Sequence, residues 1–253
     1  VLLTKPRGDQ GEACTRALAH AGFAVFCEQR VGKCLISLAV ADARKPDILF
    51  IVCPKKAMRV WREQLEEHIK FDWKCQKFII HYESLCRSAK DRRWWRKRFR
   101  TEFKGQKVLL VVDEGHRIKG RGSMQSRMLR SLGKEVDYRL LLTGTPVDKI
   151  REDAWAIFDF VHPGALGDTW EEFSDDYLKI GKAKGKHGKF YQTILGYRNS
   201  KRFRRTFHEY SYRVTLREAQ RRAGRRPYLV RRRVVRFELK PETRRVYNEL
   251  ETQ

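Results

Sequence analysis

The feature that most limits how this chain can fold is a series of short, almost uninterrupted apolar runs in its first 165 residues. A helix-like segment follows each run, and the runs lack the regular polar alternation of a sheet with one solvated face. Such strands are typical of parallel sheets that helices cover on both faces, so the sequence predicts an α/β fold. The predicted strands are FAVFC (23–27), ILFIVC (48–53), FIIHY (78–82), KVLLVV (107–112) and RLLLT (139–143).

The first predicted strand ends in CEQRVGKC (27–34), which partly matches a phosphate-binding loop. Ligands of open parallel sheets bind at the carboxyl ends of the strands, so residues at this position are candidates for chemistry. The usual loop reads G-x-x-x-x-G-K-[ST], in which backbone N–H groups surround phosphate and the lysine neutralises its charge. Gly32 and Lys33 fit, whereas Cys27 replaces the first glycine and Cys34 the hydroxyl residue. A chance Gly-Lys pair after a strand remains an alternative at this point.

Two adjacent carboxylates, Asp113 and Glu114, follow the fourth predicted strand. Phosphoryl transfer to water needs one carboxylate that holds Mg²⁺ and a second that orients or deprotonates the attacking water. Asp113 and Glu114 fit these two tasks, although an isolated Asp-Glu pair can also simply cap the end of a strand. The presence of Gly32-Lys33 after an earlier strand favours a nucleoside triphosphatase.

The net charge of +25 indicates a polyanionic partner, and nucleic acid is the first to consider. The excess is concentrated in residues 170–253, which hold 23 Lys and Arg against 10 acids. A solvated basic surface without a ligand is the alternative. Apolar runs of at most six residues are too short to cross a bilayer, so no membrane partner is expected. Six cysteines without a C-x-x-C pair predict reduced thiols in an intracellular protein and no zinc site.

One further basic stretch, RSAKDRRWWRKRFR (87–100), places Trp94, Trp95 and Phe99 among eight Lys and Arg residues. These aromatic side chains could stack on exposed bases. The interpretation favoured here is an amphipathic helix, whose aromatic residues pack on the sheet while some of its arginines contact phosphate.

The order and the amino-acid sequences of these segments resemble the first RecA-like lobe of superfamily-two helicases, and among these the Swi/Snf-type DNA translocases. CEQRVGKC stands at motif I of that family, ILFIVCPKKAMRVWREQLEEH resembles motif Ia, and FIIHYESL resembles motif Ib. VVDEGHRIKG resembles motif II, with its DEGH box. KPRGDQ resembles the adenine-reading segment, and YRLLLTGTPVDK resembles motif III. Its continuation, FDFVHPGALG, is the most diagnostic part because other helicases rarely share it.

The resemblance implies ATP and Mg²⁺ as cofactors and duplex DNA as the partner. It implies a nucleotide site made of Gln10, Arg30, Val31, Gly32, Lys33 and Cys34, with Asp113 and Cys34 at the metal. It implies catalytic roles for Asp113, Glu114 and His116, and coupling of nucleotide state to DNA through Thr143, Gly144 and Thr145. The residues implied to contact nucleic acid are Pro54, Lys55, Tyr82, Arg202, Arg205, Arg222 and Arg226.

Two departures from the family pattern bear on activity. Arg30 stands where many members have glycine, which is acceptable if its φ angle is negative. Cys34 replaces a hydroxyl, and a thiol is a poor ligand for the hard cation Mg²⁺. Water could take that position, so nucleotide binding could persist while hydrolysis slows.

The predicted organisation is a RecA-like P-loop lobe (1–168), a basic helical protrusion (169–226), and a returning strand with the start of a connector (227–253). Within the protrusion, TWEEFSDDYLKI (169–180) is predicted to be a helix, GKAKGKHGK (181–189) a flexible loop, and residues 200–222 helical. VVRFEL (234–239) is predicted to be a strand, and a helix is predicted from Pro241. A C-terminal RecA-like lobe of the same protein is expected to complete the ATP site, so residues 1–253 alone should hydrolyse ATP very slowly.

Two other functions remain open at this stage. The chain could be a DNA-binding module whose ATP site has lost hydrolysis through Cys34, or an RNA helicase of the same superfamily. The short connections between motifs favour a bacterial or phage source, and therefore the bacterial cytoplasm as the location. A eukaryotic source would imply the nucleus. The sequence does not distinguish remodelling, repair, recombination, restriction and phage replication.

Overall fold

A six-stranded parallel sheet forms the centre of this computed structural model, which describes residues 2–70, 72–145, 151–184 and 190–224 together with Glu238, Lys240, Thr243 and Arg244. The five apolar runs predicted as strands are all present, and a short strand that the sequence analysis did not predict extends the sheet beside β1. In spatial order the strands are β3 (Gln76–His81), β2 (Ile48–Cys53), β4 (Val108–Asp113), β5 (Tyr138–Leu142), β1 (Gly22–Cys27) and β8 (Ser211–Val214).

Helices cover both faces of this sheet, as the apolar runs predicted, because alternate strand residues enter two separate cores. Phe23 and Val25 point into one core, and Ala24 and Phe26 point into the other. The first core lies under α1 (Gly8–Leu18), α2 (Lys33–Arg44) and α3 (Ala57–His68). The second lies under α4 (Tyr82–Cys86), α5 (Ala89–Thr101), α6 (Met124–Gly133), α7 (Arg151–Val161), α8 (Trp170–Tyr177) and α9 (Ser200–Glu209).

The aromatic residues of α5 pack mainly on the sheet, as the amphipathic interpretation expected. Trp95 and Phe99 are buried, and their rings lie 5.3 and 5.0 Å from the ring of Phe50 on β2 in edge-to-face contacts. Only Trp94 remains half exposed, at 49%. Removing a buried aromatic ring of this kind costs about 3–5 kcal/mol, so these two positions anchor α5 on the sheet.

The region after residue 168 contains more strand than the sequence analysis predicted. The helix predicted for residues 169–180 ends at Tyr177, and a strand, β6 (Leu178–Lys184), follows it. β6 pairs antiparallel with β7 (Phe190–Tyr197), so residues 181–184, the described part of the predicted Lys-Gly loop, are strand. The predicted helical stretch 200–222 is interrupted by β8 between α9 and α10 (Leu216–Arg222).

These differences have a physical reason. Lysine and glycine are rare in strands, so composition favoured a loop in β6, and the four residues of β8 are too few to show a period. The strand predicted at 234–239 and the helix predicted from Pro241 fall in a part of the chain of which the structure describes only single residues. The predicted domain boundaries stay predictions, although β8 lies in the central sheet rather than apart from it.

None of the helices in the described ranges combines the length and hydropathy that crossing a bilayer requires.

Candidate nucleotide site

Three of the predicted motifs meet at one edge of the sheet, because β4, β5 and β1 are neighbours in space. Asp113, at the end of β4, lies opposite Leu142 of β5, and Leu142 lies opposite Val25 of β1. Parallel strands present their carboxyl ends at the same edge, and this is where ligands of such sheets bind. The geometry therefore brings together the ends of the segments that carry motifs I, II and III.

The partial phosphate loop connects β1 to α2 and ends in a glycine that no other residue could replace without strain. Gly32 is the N-cap of α2 and has a φ of 93°. A Cβ atom there would collide with the side-chain nitrogen of Gln10. The free N–H groups and positive dipole of a helix N-terminus favour an anion at this end of α2.

The condition under which arginine would be free of strain at position 30 is not met, because the φ of Arg30 is +67° rather than negative. A left-handed backbone costs a non-glycine residue about 1–2 kcal/mol. Arg30 therefore occupies the position of the family's glycine with a strained backbone, and its side chain is exposed. The loop keeps its shape because neighbouring residues fix it, and buried Val31 is one of them.

Lys33 reaches back across the loop towards the end of β1. Its Nζ donates to the carbonyl oxygens of Cys27 at 3.1 Å and Glu28 at 3.4 Å. Gly144 of motif III is close by, since a Cβ on that glycine would lie 3.6 Å from Lys33 Nζ. The ammonium group thus lies between motifs I and III, where it could exchange its carbonyl partners for phosphate oxygens.

Asp113 is a buried carboxylate that is hydrogen-bonded at both oxygens. Trp61 Nε1 donates to its Oδ2 at 2.9 Å, and the backbone N–H of Glu114 donates to its Oδ1 at 2.9 Å. Burial raises the pKa of Asp113 above its ordinary value, and the hydrogen bond from Trp61 acts in the opposite direction. Trp61 is a site residue that sequence reasoning missed, although it lies within the segment that resembles motif Ia.

His116 connects motif II to motif III through one ring nitrogen. Its Nδ1 lies 3.2 Å from Glu114 Oε2, 3.2 Å from Thr143 Oγ1 and 3.3 Å from Thr145 Oγ1. One imidazole nitrogen either donates or accepts, so it cannot satisfy all three oxygens at once. The ring can therefore pair with Glu114 or with the threonines. The predicted coupling residues are brought together here.

The backbone around this network is also specialised. Glu114 has a φ of 54°, which turns the chain sharply after β4. Gly115 follows it, and a Cβ there would collide with the side chain of Leu141 on β5. This close approach explains the glycine of the DEGH box.

The prediction that Tyr82 contacts DNA is wrong. Its side chain is fully buried, and its hydroxyl donates to the backbone carbonyl of Asp113 at 2.6 Å. Tyr82 is the first residue of α4, so it lies at the end of β3 but turns under the site instead of facing solvent. Its role in this structure is to position the main chain of motif II.

Gln10 spans the gap between the N-terminus of α1 and the phosphate loop. Its Oε1 accepts from the backbone N–H of Arg7 at 2.9 Å, and its Nε2 donates to the carbonyl of Val31 at 2.7 Å. Beside it lies a cavity of about 130 Å³. Pockets that hold a whole ligand usually measure roughly 300 Å³ or more, so this cavity suits a single base rather than a whole nucleotide, and we call it the base-sized cavity. Its lining includes Arg7, Gln10, Arg30, Val31, Leu216 and Ala219.

α10 forms one wall of this cavity, and Arg222 ties it to α1. The guanidinium donates to Asp9 Oδ1 at 3.0 Å, Glu12 Oε2 at 3.2 Å and the Tyr212 hydroxyl at 3.0 Å. Arg222 was predicted to contact nucleic acid, but the structure places it at the base-sized cavity. Sequence spacing held no signal for this position, because it follows from the pairing of β8 with β1.

The other predicted nucleic-acid residues that the structure describes lie in two different segments of the fold. Lys55 is exposed and Pro54 half-buried at the carboxyl end of β2. Arg202 and Arg205 are exposed on α9, where Arg202 pairs with Asp176 at 2.8 Å. Arg226 lies outside the described residues.

The side chains at the predicted metal position favour a cation held mainly by oxygen from nucleotide and water. Burial and the nearby charge of Asp113 raise the pKa of Cys34 to about 12, so its thiol stays protonated at neutral pH and makes a poor Mg²⁺ ligand. Within the described ranges, no group of three His, Cys, Asp or Glu side chains could hold a metal. Mg²⁺ commonly binds through one or two carboxylates, phosphates and water, and Asp113 suits that arrangement.

The fold and this edge of the sheet define a RecA-like lobe of the helicase type. The family model of the SNF2-related domain matches residues 70–253, and the chain belongs to that family. The matched segment contains motifs Ib to III, and the phosphate loop precedes it.

Relatives and a solved structure agree with this family. The chain is 33% identical over 137 residues to the DNA repair and recombination protein RAD54B of Homo sapiens, covering 46% of this chain and 14% of that protein. It is 23% identical over 169 residues to the chromodomain-helicase-DNA-binding protein 1-like of Danio rerio, covering 58% and 15%. It matches the fold of the Sulfolobus solfataricus SWI2/SNF2 ATPase core in complex with dsDNA, with a TM-score of 0.62, 20% identity, and coverage of 85% and 45%. The chain thus spans less than half the length of each of these proteins.

Proposed function

We propose that this chain is the first motor lobe of a DNA-dependent ATPase that binds ATP with Mg²⁺ and moves along or remodels duplex DNA. The observation that carries this proposal is the meeting of Lys33, Asp113 and Thr143 at the ends of three neighbouring strands. Membership in the SNF2-related family supports it, since relatives in that family include proteins named for DNA repair.

The chemistry assigned to the site follows from these positions. Lys33 would leave its carbonyl partners to neutralise the terminal phosphates, while the N–H groups at the start of α2 surround them. Asp113 would hold the Mg²⁺, which shields phosphate charge when it is bound. Glu114 would orient the attacking water and accept its proton.

His116 supplies the coupling in this proposal. While its ring pairs with Glu114, the threonines of motif III lack that partner, and the reverse also holds. A change at Glu114 during hydrolysis would therefore change the hydrogen bonds of Thr143 and Thr145. This is how nucleotide state would reach the segments that contact DNA.

Two partners complete the proposal. A second RecA-like lobe of the same protein would contribute arginines to the ATP site, so residues 1–253 alone should turn over ATP very slowly. The duplex would be bound through the net positive charge of +25, with Lys55, Arg202 and Arg205 as proposed phosphate contacts. Such a protein would act inside the cell, where DNA and ATP are available, and a bacterial or phage source stays a prediction.

One alternative has a specific observation in its favour. The protonated thiol of Cys34 stands at the position of the metal-ligating hydroxyl, which favours a DNA-binding module that retains nucleotide but has lost hydrolysis. RNA as the partner remains a further alternative, and competition between duplex DNA and RNA for the chain distinguishes it.

The test is ATP hydrolysis by the longest natural chain that contains this lobe, with and without duplex DNA. Glu114→Gln should abolish turnover, whereas Glu63→Gln, a surface carboxylate on α3 paired with Arg59, should not change it. DNA-stimulated turnover that disappears only in Glu114→Gln would support the motor. Absent turnover with salt-sensitive DNA binding would instead favour the inactive module.

A further inference from the structure

We propose that the hairpin formed by β6 and β7 is a separate DNA-contacting element, which places aromatic side chains against unstacked bases at a junction between paired and unpaired DNA. This inference rests on the DNA-motor function proposed above. It deepens that function by naming the form of DNA that the lobe prefers.

The hairpin concentrates the exposed apolar side chains of the protein. Nine large hydrophobic residues are exposed among the described residues, and five of them lie in these two strands. Phe190 and Tyr191, at the start of β7 next to the hairpin tip, are 68% and 56% exposed. Within the part of the chain that the structure describes, neither ring has a stacking or cation–π partner. The other three exposed hydrophobic residues of the hairpin are Ile180, Leu195 and Tyr197.

The opposite end of the hairpin is anchored in the lobe. Leu178 is buried, and the guanidinium of Arg151 lies 4.6 Å from the ring centre of Tyr197. Arg151 also donates to the backbone carbonyl of Arg198 at 3.1 Å. Arg151 opens α7, six residues after Thr145 of motif III. The hairpin is thus fixed at its base to the helix that follows motif III, while Phe190 and Tyr191 at the start of β7 are exposed.

The charge of the hairpin favours nucleic acid over a protein or a second copy of this chain. Residues 178–198 contain five lysines and one arginine and no acidic residue. Lys179 and Lys182 are exposed on β6, between the apolar positions. Lysine on an open strand edge opposes pairing with another strand, so this edge is poorly suited to self-association. Interleaved lysine and aromatic side chains are the combination that binds phosphate and base together.

The exposed aromatic pair at the start of β7, Phe190 and Tyr191, favours a junction over an intact duplex. In continuous duplex the faces of the bases are covered by their neighbours, and inserting an apolar side chain requires unstacking a step. At a junction one base face is already free, so Phe190 or Tyr191 can stack without that cost. The lysines would contact phosphates of either form equally. A junction should therefore bind more tightly than a duplex of the same length.

The experiment uses the 253-residue chain and two fluorescent DNAs of equal strand length, a forked duplex and a blunt duplex, at one salt concentration. The combined variant Phe190→Ala/Tyr191→Ala is compared with Trp94→Ala, an exposed aromatic residue on α5. The expected result is a preference for the fork of about fivefold to a hundredfold, the range for one stacked base. The hairpin variant should lose this preference and bind the blunt duplex as before, while Trp94→Ala keeps it.

A second readout does not depend on affinity. With 2-aminopurine as the first paired base of the fork, binding should change its fluorescence, and the hairpin variant should bind without that change. Lys182→Gln should lower the salt slope for duplex by about 0.9 and leave the fluorescence change intact.

Several outcomes would overturn the inference. Equal affinity for fork and duplex would do so, and so would a fork preference that survives in the hairpin variant. Sedimentation that shows a dimer for the original chain and a monomer for the variant would assign the surface to a second copy instead. If no DNA binds at any salt concentration, the proposed DNA-motor function fails as well, which distinguishes the two failures.

Discussion

The indole nitrogen of Trp61 donates a hydrogen bond to Asp113 Oδ2 at 2.9 Å, and both side chains are buried. This bond joins α3, the helix of motif Ia, to the carboxylate of motif II. Burial alone would favour the protonated form of Asp113, and the indole donor counteracts that tendency. The balance between the charged and the protonated form of Asp113 therefore depends on a residue outside the acidic motif.

Trp61→Phe should weaken Mg²⁺-dependent nucleotide binding and move its pH dependence to higher pH. The pKa of Asp113 already lies above the ordinary 3.8, and loss of the indole donor raises it further. Protonation would remove the proposed metal ligand, so binding should be lost at a higher pH on acidification than in the original chain. The group binds its proton more readily in the folded state, so its contribution to stability is greatest at low pH and falls as pH rises through its pKa.

The measurement is a titration with a fluorescent nucleotide in Mg²⁺ at several pH values. Trp73→Phe, at a half-buried tryptophan whose ring lies 5.0 Å from Lys77 Nζ, serves as the control. A pH profile of Trp61→Phe that coincides with the original chain would show that the hydrogen bond has no part in metal binding.

Cys34→Thr should raise nucleotide affinity in Mg²⁺ and leave it unchanged in EDTA. The hydroxyl supplies a hard oxygen ligand where the protonated thiol does not. Cys34→Ala, which offers no ligand, should match the original chain under both conditions. A gain that appears equally without Mg²⁺ would indicate a packing effect on the loop rather than a metal ligand. Calorimetric titration of both variants measures the difference directly.

Tyr82→Phe should lower the free energy of unfolding by about 1 kcal/mol or somewhat more, because the carbonyl of Asp113 loses a buried donor. It should leave the affinity for DNA and the salt slope of DNA binding unchanged, since the side chain is neutral and does not reach solvent. Lys55→Gln is the matched comparison, because its ammonium is exposed and proposed to contact phosphate. It should reduce the slope by about 0.9 with little effect on stability. A loss of DNA affinity in Tyr82→Phe at constant salt concentration would restore the original prediction for that residue.

Arg222→Gln should weaken nucleotide binding by about threefold to tenfold, and equally with and without Mg²⁺. The reason is that α10 forms a wall of the base-sized cavity and Arg222 fastens it to α1. Asp9→Asn should have a similar effect, and the double variant should be little worse than either single one, because both remove the same ion pair. Arg217→Gln, an exposed arginine on the same helix, is the control. Additive losses would mean that the two residues act separately.

The sequence predicts the parallel sheet well because each central strand is buried on both faces and therefore almost continuously apolar. Runs such as ILFIVC and VLLVV contain no polar side chain that could face solvent, so they are expected in the interior. The same reasoning fails at the edge, where β8 is only four residues long and exposes Arg213.

The site was predictable where a motif fixes both residue type and position. Gly32, Lys33, Asp113, Glu114 and His116 all lie at the predicted edge of the sheet. Tyr82 could not be assigned correctly, because a residue at a strand end can turn inward or outward, and only packing decides which. The tie between Arg222 and Asp9 joins residues more than 200 positions apart, beyond any local pattern.

The pairing of β8 with β1 also predicts an order for the events of folding. Ala24 and Ser211 face each other across about 190 residues of chain, whereas β2 and β4 meet over about 60, and closing the longer loop costs more entropy. The wall of the base-sized cavity follows β8, so the binding site is finished only after the central strands have come together. Pulsed hydrogen exchange should show β8 protected last, and simultaneous protection of β8 and β2 would contradict this order. A nucleotide that enters this cavity would act late in folding, holding the chain in its completed form by mass action.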